Sequence, residues 1–186
     1  MSDIIRGSAV NIPNDATIYT VSEPSQVVDE MEYIIVNPIE YCLTSIENFY
    51  RFTDKKLLLS LPPIARDNDV FILKSLTKAA LDNGFYGIVA NNLYSFAICD
   101  GPFLLGPMMN CLNDVIDLPK IYSFESDFLG KKGFVYAQGN VPLMTFCNCP
   151  KKEFFDGCGS CDGYEGHLSD GVRNFELRRY KVGYCY

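Results

Sequence analysis

Short apolar runs alternate with amphipathic segments along the first half of the chain. Runs rich in apolar and β-branched residues predict strands at residues 18–21, 33–36, 55–61 and 85–90. The third run contains Leu57-Leu58-Leu59 without polar alternation, which is typical of a strand buried on both faces of a parallel sheet. Because helical segments separate the later strands, this order predicts right-handed βαβ units and a parallel sheet.

The segment after the second strand carries the first helical signal. Asn37-Pro38-Ile39-Glu40 predicts a helix start, because asparagine can cap, proline suits the first helical position and glutamate can complete a capping box. The apolar residues that follow fall on one helical face, formed by Ile39, Leu43, Ile46 and Tyr50.

A second helix is predicted after the third strand. Asp67 or Asn68 can cap its start, and Asn83-Gly84 is a typical helix end. Its apolar positions again share one face, formed by Ile72, Leu73, Leu76, Ala79 and Ala80.

The pattern changes after Asn92, where the helical signal fades. Further strands are predicted at residues 103–105, 120–123 and 134–137. Prolines and glycines fill the connections, so we expect these to be short. A complete eight-fold (β/α) barrel needs about 250 residues. The chain of 186 residues therefore predicts an α/β fold in which residues 1–139 form a partial or shortened TIM-barrel-like parallel sheet.

The last forty residues hold five of the eight cysteines. Cys158 and Cys161 form a C-x-x-C pair, whose two thiolates can reach one ion across a turn. Together with Cys149 and Cys185 they predict a four-thiolate metal site in a small cysteine-rich module at residues 140–186. Soft sulfur ligands select zinc or an iron–sulfur cluster over hard cations.

Disulfides are the alternative interpretation of the same cysteines, and the compartment decides between the two. Residues 1–10 lack a charged start followed by a long apolar run, and no later stretch approaches the length of a membrane span. We therefore expect a cytoplasmic chain without a membrane span, where a reducing environment favours metal over cross-links. Three isolated cysteines in apolar segments are predicted to be small buried side chains, namely Cys42, Cys99 and Cys111.

The charge of the chain limits its partners. A net charge of -7 and a pI near 4.7 leave no basic footprint for nucleic acid. Stable nucleic-acid binding by this chain alone is therefore not expected. A transient RNA substrate held mainly by another subunit stays compatible with this acidity.

Proteolysis finds little support in the residue types present. Peptide hydrolysis needs an activated nucleophile or metal-bound water together with a proton carrier. His167 is the only histidine, and the sequence contains neither an H-E-x-x-H motif nor a G-x-S-x-G elbow. Two interpretations of His167 stay open, an exposed loop residue or a substitute ligand in place of Cys185.

Polar residues follow several predicted strands. Barrel enzymes keep their active sites at the carboxyl ends of parallel strands. We therefore predict substrate-binding roles at four positions, Arg66, Asn92, Asn110 and Glu125. An arginine there can bind a carboxylate or phosphate bidentately, and the alternative for Arg66 is a solvated residue at a helix start.

Five motifs in one order connect these features to a known family. The chain resembles the later half of the collagenase-like peptidases, peptidase family 32 of unassigned catalytic type. The matching segments are Leu61-Pro62-Pro63-Ile64-Ala65-Arg66, residues 84–92, Asn110-Cys111-Leu112-Asn113, Ser123-Phe124-Glu125, and Pro142-Leu143-Met144 with Cys149-Pro150.

The resemblance implies a TIM-barrel-derived fold and an iron–sulfur cluster on the four predicted cysteine ligands. Members of the family include nominal proteases and factors for hydroxylation of RNA bases and of quinones. It therefore implies an iron–sulfur protein that assists hydroxylation or another redox modification of an RNA base or a quinone-like aromatic. The alternatives are a non-catalytic, zinc-stabilised interaction subunit and a protease.

The chain also departs from the family pattern. It lacks the front half of the barrel, which implies a protein partner that completes the barrel. Little room exists for a helix between Ser123 and Phe134, and Cys147 stands where many relatives have glutamate. Each departure bears on whether the chain alone carries out catalysis.

The ligand set can be tested by single substitutions. Cys158→Ser and Cys161→Ser are expected to lose the metal and disorder the chain beyond about residue 140, because metal binding contributes on the order of 10 kcal/mol in small thiolate modules. Metal stoichiometry of the purified variants measures this, with Cys42→Ser as the control that keeps its metal. Cys147→Ser is also expected to keep it, because Cys149-Pro150 matches the family better. Full retention in both ligand variants would refute the site.

Overall fold

A computed structural model describes residues 7–109, 117–139, 145, 166–177 and 181–182. Its centre is a seven-stranded sheet in which every pairing is parallel. The strands of this sheet are β1 (Ile18–Val21), β2 (Tyr33–Val36), β4 (Lys56–Ser60), β5 (Gly87–Ala90), β6 (Phe103–Leu105), β7 (Lys120–Tyr122) and β8 (Gly133–Val135). A two-residue strand, β3 (Glu40–Tyr41), lies outside it.

The strand order of the sheet is β1-β2-β4-β5-β6-β7-β8, so each strand lies beside its neighbour in the sequence. This sequential parallel order makes an open half-barrel, with β1 and β8 at its two ends in the described part of the chain. The predicted α/β class and parallel sheet are confirmed. The predicted cysteine-rich module at residues 140–186 is described only in part, so its boundary stays a prediction.

Both faces of the sheet are buried along its central strands, from β2 to β7. Side chains on one face, including Leu57 and Leu59, pack into the larger core under the helices. Side chains on the other face, including Leu58, Val89 and Leu104, form a second core. This two-sided burial explains the unbroken apolar run in β4, since residues 57–59 are buried on both faces of that strand.

The amino-terminal segment closes part of the second core. Val10 donates its N–H to the Phe103 carbonyl at 3.1 Å, and Phe103 donates to the Ser8 carbonyl at 2.8 Å. The hydroxyl of Tyr86 donates to the Asn11 carbonyl at 2.7 Å. The side chain of Val10 is buried in the second core, at the amino-terminal end of β6.

Four α-helices connect or follow the strands in the described residues: α1 (Leu43–Glu47), α2 (Asp67–Asp82), α3 (Tyr94–Ile98) and α4 (Glu125–Phe128). The longest, α2, is confirmed with Leu73, Leu76 and Ala80 buried. The prediction that Asp67 or Asn68 is the N-cap of α2 was wrong. The N-cap is Arg66, and its backbone N–H donates to the Asp69 carboxylate at 3.0 Å. Its C-terminal end follows the prediction: Asn83 is the cap, and Gly84 has a φ of 91°.

The predicted helix start at residues 37–40 was wrong. No helix begins there: β3 starts at Glu40, and the Tyr41 side chain is buried in the larger core, 2% exposed. The Tyr41 hydroxyl donates to the side-chain oxygen of Asn37 at 3.2 Å, so the oxygen expected to cap a helix has another partner. The helix that does form is α1, which begins at Leu43.

A strand near the end of the sequence pairs with β3. The short strand β11 (Lys181–Val182) pairs in parallel with β3. Before it, β9 (Gly166–Ser169) and β10 (Asn174–Leu177) form an antiparallel hairpin. The Asp170 carboxylate accepts the N–H groups of Arg173 at 2.6 Å and Val172 at 2.9 Å in the turn, and these bonds hold its pKa below the usual value.

Gly133 at the start of β8 is a position where only glycine fits. Its φ is 151°, and a Cβ there would lie 2.0 Å from the Lys120 carbonyl oxygen of the paired strand β7. Gly130 also has a positive φ, of 72°, but a Cβ there would meet nothing within 4 Å. The two glycines therefore separate the cost of crowding from the cost of an unfavourable φ.

Gly133→Ala is expected to lower the free energy of unfolding by on the order of 3 kcal/mol, because backbone must move and the φ is strained. Gly130→Ala serves as the matched control and is expected to cost about 1 kcal/mol, for its φ alone. Urea denaturation followed by far-UV circular dichroism measures both values. Equal losses in the two variants would contradict the crowding at Gly133.

Candidate functional site at the carboxyl edge of the sheet

Side chains that follow β5 hold the loop that follows β4. Asn91, Asn92 and Tyr94 donate hydrogen bonds to the three successive carbonyls of residues 61–63, and each of the two amide bonds measures 2.7 Å. Two of these carbonyls belong to prolines, which have no N–H to place the loop in a regular ladder. We call these three side chains and the carbonyls that they hold the edge clamp.

Asn91 lies at the centre of the edge clamp. Its side-chain nitrogen also donates to the Ser60 hydroxyl at 3.1 Å. On the opposite side, a Cβ on Gly106 would lie 1.8 Å from the Asn91 side-chain oxygen, so any side chain there would have to displace the Asn91 amide. The Asn91 side chain therefore bonds to the end of β4 and the residue after it, and lies against Gly106 in the loop that follows β6.

Arg66 follows the clamped loop directly. Its side chain is exposed at the N-terminus of α2, where Asp67 and Asp69 in the first turn offset its charge. Its predicted position beyond the carboxyl end of β4 is confirmed. A role in binding an anionic group stays a prediction.

The other predicted substrate-binding residues lie in different places. Asn92 follows β5 as expected, and at least one of its N–H groups holds the Pro63 carbonyl. Glu125 is the first residue of α4 and lies beyond β7, two strands further along the edge from Asn92. Asn110 lies outside the described residues. The edge clamp thus brings the loops of Arg66 and Asn92 together.

Large apolar side chains are exposed at the same edge. Three that are 45–58% exposed follow the carboxyl ends of β2, β5 and β7, and a fourth, 48% exposed, begins α1; we call these four the apolar rim: Ile39, Leu93, Phe124 and Leu43. Exposed apolar side chains beyond strand ends are surface that a ligand or partner can contact. Our sequence analysis missed them, because the pattern assigned Ile39 and Leu43 to the buried face of a helix.

Cys42 differs from its predicted state. It is only partly buried, and its sulfur lies 3.1 Å from the Ser45 hydroxyl and 3.2 Å from that of Thr44. Burial raises the pKa of the Cys42 thiol, but the hydrogen bonds with Ser45 and Thr44 outweigh this effect and leave its pKa below the usual value. The prediction of a buried side chain was therefore wrong for Cys42. It is confirmed for Cys99, whose burial raises its pKa.

The predicted metal ligands lie outside the described residues: Cys149, Cys158, Cys161 and Cys185. Cys111 and Cys147 lie outside them as well. Among the residues that the structure describes, no group of three or more His, Cys, Asp or Glu side chains is placed to hold a metal ion. The iron–sulfur cluster and its zinc alternative therefore stay predictions that rest on the sequence.

His167 lies on a strand and not in a loop. Its side chain is exposed on β9, and its register partner across the hairpin is Glu176.

No described helix is long and apolar enough to cross a membrane.

The edge clamp can be tested at its central residue. Asn91→Asp replaces the amide donor with a carboxylate facing the Leu61 carbonyl, so we expect a loss of about 1–3 kcal/mol in unfolding free energy. Asn48→Asp is the matched control, because its side-chain nitrogen also donates to a backbone carbonyl, at 3.1 Å, but in an exposed position. Its expected loss is below about 0.5 kcal/mol. Equal effects on urea denaturation would argue against the clamp.

Comparisons with protein-family models, with curated proteins and with solved structures find no match for this chain. The resemblance to the collagenase-like peptidases thus rests on the five motifs of the sequence, and what it implies about function is a proposal.

Proposed function

We propose that this chain is an iron–sulfur protein similar to the collagenase-like peptidases. It assists hydroxylation or another redox modification of a quinone-like aromatic or an RNA base, at the carboxyl edge of its parallel sheet. The observation that carries the proposal is the edge clamp. Two segments that resemble the family, residues 61–66 and 84–92, are joined there by hydrogen bonds from Asn91 and Asn92.

The meeting of these two segments supports a common role for them. They follow adjacent parallel strands, and the carboxyl ends of such strands are where barrel enzymes bind their substrates. Arg66 lies at the end of the first segment, exposed and next to the clamped loop. In this proposal Arg66 binds an anionic or carbonyl group of the substrate, while the edge clamp fixes the loop that carries it.

The apolar rim favours an uncharged aromatic as the group that this chain itself contacts. Exposed Leu93 and Phe124 offer surface to a planar apolar molecule. A net charge of -7 disfavours stable RNA binding by the chain alone. An RNA substrate would therefore need a partner subunit to hold its backbone.

The chemistry of the donor set fits a cluster. Four thiolates at Cys149, Cys158, Cys161 and Cys185 suit either an iron–sulfur cluster or zinc, and the family resemblance favours the cluster. When bound, a cluster supplies one-electron transfer. The substrate-binding part falls to the exposed polar residues of the carboxyl edge, Arg66 and Glu125, with Asn92 holding the loop and Asn110 as a further candidate.

Proteolysis is the least supported activity. The only histidine of the chain, His167, is exposed on the β9–β10 hairpin opposite Glu176. A histidine that serves as a general base needs a nucleophile within hydrogen-bond reach. The cysteines nearest to it in sequence are the ones proposed as metal ligands.

A non-catalytic interaction subunit, stabilised by zinc, is the second candidate. The open sheet favours it, because in the described part of the chain β1 and β8 end the half-barrel without pairing to each other. A partner that supplies the missing strands would complete the barrel. In both candidates we place the protein in the cytoplasm, where thiolates stay reduced.

Anaerobic purification separates the two candidates. We expect a brown protein that contains iron and labile sulfide and absorbs visible light, because thiolate-bound clusters are coloured. A colourless protein that contains only zinc would contradict the first candidate. Copurification with a chain that supplies the missing strands, without turnover by either protein, would favour the second.

A further inference from the structure

The junction between β6 and β7 is the shortest in the sheet. Among the residues that the structure describes, it consists of one register pair, Leu105 with Lys120. Every other junction of the sheet has three or four such pairs. At this junction the Leu105 N–H donates to the Pro119 carbonyl at 2.9 Å. The backbone pairing that holds the sheet together is therefore weakest between β6 and β7.

The amino-terminal segment and one proline explain why this junction is short. Alternate residues of a strand direct their N–H and C=O groups to the same neighbour, so Phe103, Leu105 and Pro107 face the side of β7. At Phe103 both groups are already taken, because its N–H donates to the Ser8 carbonyl and its carbonyl accepts the N–H of Val10. Pro107 has no N–H to donate. Of these three residues, Leu105 is left to pair with β7.

The elements β7, α4 and β8 are joined to one another more extensively than β7 is joined to β6. The two strands share three register pairs, and the Tyr136 N–H donates to the Tyr122 carbonyl at 3.1 Å. The rings of Tyr122 and Phe128 pack edge to face with their centroids 5.6 Å apart, which connects β7 to α4. We call these three elements the β7–β8 unit.

Apolar side chains attach the β7–β8 unit to the rest of the protein. Ile121, Phe134 and Tyr136 pack into the second core, and Leu118, directly before β7, is buried in the larger core. Apolar contact is not directional, so it constrains the orientation of a unit less than a backbone ladder does. The unit can therefore separate from β6 by breaking one backbone pairing and part of the second core, with Leu118 as its anchor.

We propose that the β7–β8 unit opens from β6 as one body and thereby widens the carboxyl edge of the sheet. The unit carries Glu125, with Phe124 directly before α4. Arg66 and Asn92 follow β4 and β5, on the other side of the junction. Opening therefore changes the separation between these two pairs of residues. Its use for substrate entry rests on the proposed function, whereas the movement itself does not.

Two consecutive amides of the chain report on the two sides of β6. The Leu105 N–H donates to Pro119 and so belongs to the junction with β7. The Gly106 N–H donates to the Ala90 carbonyl of β5 at 2.8 Å, and so belongs to the junction with β5. Opening of the β7–β8 unit breaks the first of these bonds and leaves the second intact.

Amide hydrogen exchange, resolved by residue with NMR on the full-length protein, tests the opening. After correction for intrinsic rates, we expect the Leu105 amide to be about tenfold less protected than the Gly106 amide. The Tyr136 amide, which is bonded within the unit, is expected to stay better protected than Leu105. Equal protection at Leu105 and Gly106 would overturn the proposal. Protection at Tyr136 as low as at Leu105 would also overturn it, because β8 would then fray from β7.

Ile121→Val and Ile35→Val form a matched pair for the same measurement. Both isoleucines are buried in the second core, but Ile121 lies on the β7–β8 unit and Ile35 lies on β2. Loss of one methyl group is a mild change that leaves the protein folded. Because Ile121 leaves the second core on opening, Ile121→Val is expected to speed exchange at Leu105 about fivefold relative to Gly106.

The control variant Ile35→Val is expected to leave the ratio between the two amides unchanged, because Ile35 stays in place when the unit opens. A change of the ratio in both variants, or in neither, would overturn the proposal. Exchange is measured without substrate, so this result is independent of the proposed function. A protein that purifies with zinc alone contradicts the iron–sulfur assignment, whereas the exchange at Leu105 decides the opening.

Discussion

Burial of both faces of the parallel sheet is the constraint on which the rest of the structure depends. Leu57, Leu58 and Leu59 all lack contact with water, since helices cover one face and the amino-terminal segment contributes to the core on the other. A sheet buried in this way has little place for polar side chains along its strands, because each would need a buried partner. Polar and exposed groups therefore collect where the strands end, and the edge clamp lies there.

Much of the fold could be predicted from local patterns. The strands and α2 are marked by apolar runs and by helical periodicity among residues that are close in sequence, so both can be predicted without knowledge of distant contacts. The helix start at residues 37–40 failed for the opposite reason. Its capping residues were correct locally, but Tyr41 is buried in the core and β3 pairs with a strand at the far end of the chain. Non-local contacts of this kind override local propensity.

For the candidate site, the sequence predicted which residues lie at the carboxyl edge of the sheet but not which groups they bind. Parallel strands put their carboxyl ends on one edge, so Arg66, Asn92 and Glu125 were expected there and are found there. Their partners carry no sequence signal: nothing in the residues near Asn91 indicates that it holds the loop after β4. The partial exposure of Cys42 was missed likewise, because an apolar neighbourhood in sequence does not determine which side of the chain faces water. The metal site depends on residues outside the described ranges.

The amino-terminal segment has a consequence for the order in which the fold can be completed. Ser8 and Val10 are synthesised before β6, the fifth strand of the sheet, yet they bond to Phe103 in that strand. During synthesis these residues lack these partners until β6 has left the ribosome, so the second core cannot be completed before that point. The apolar side chains of that core are then exposed to other molecules in the cell, and a chain interrupted before β6 would be prone to aggregate.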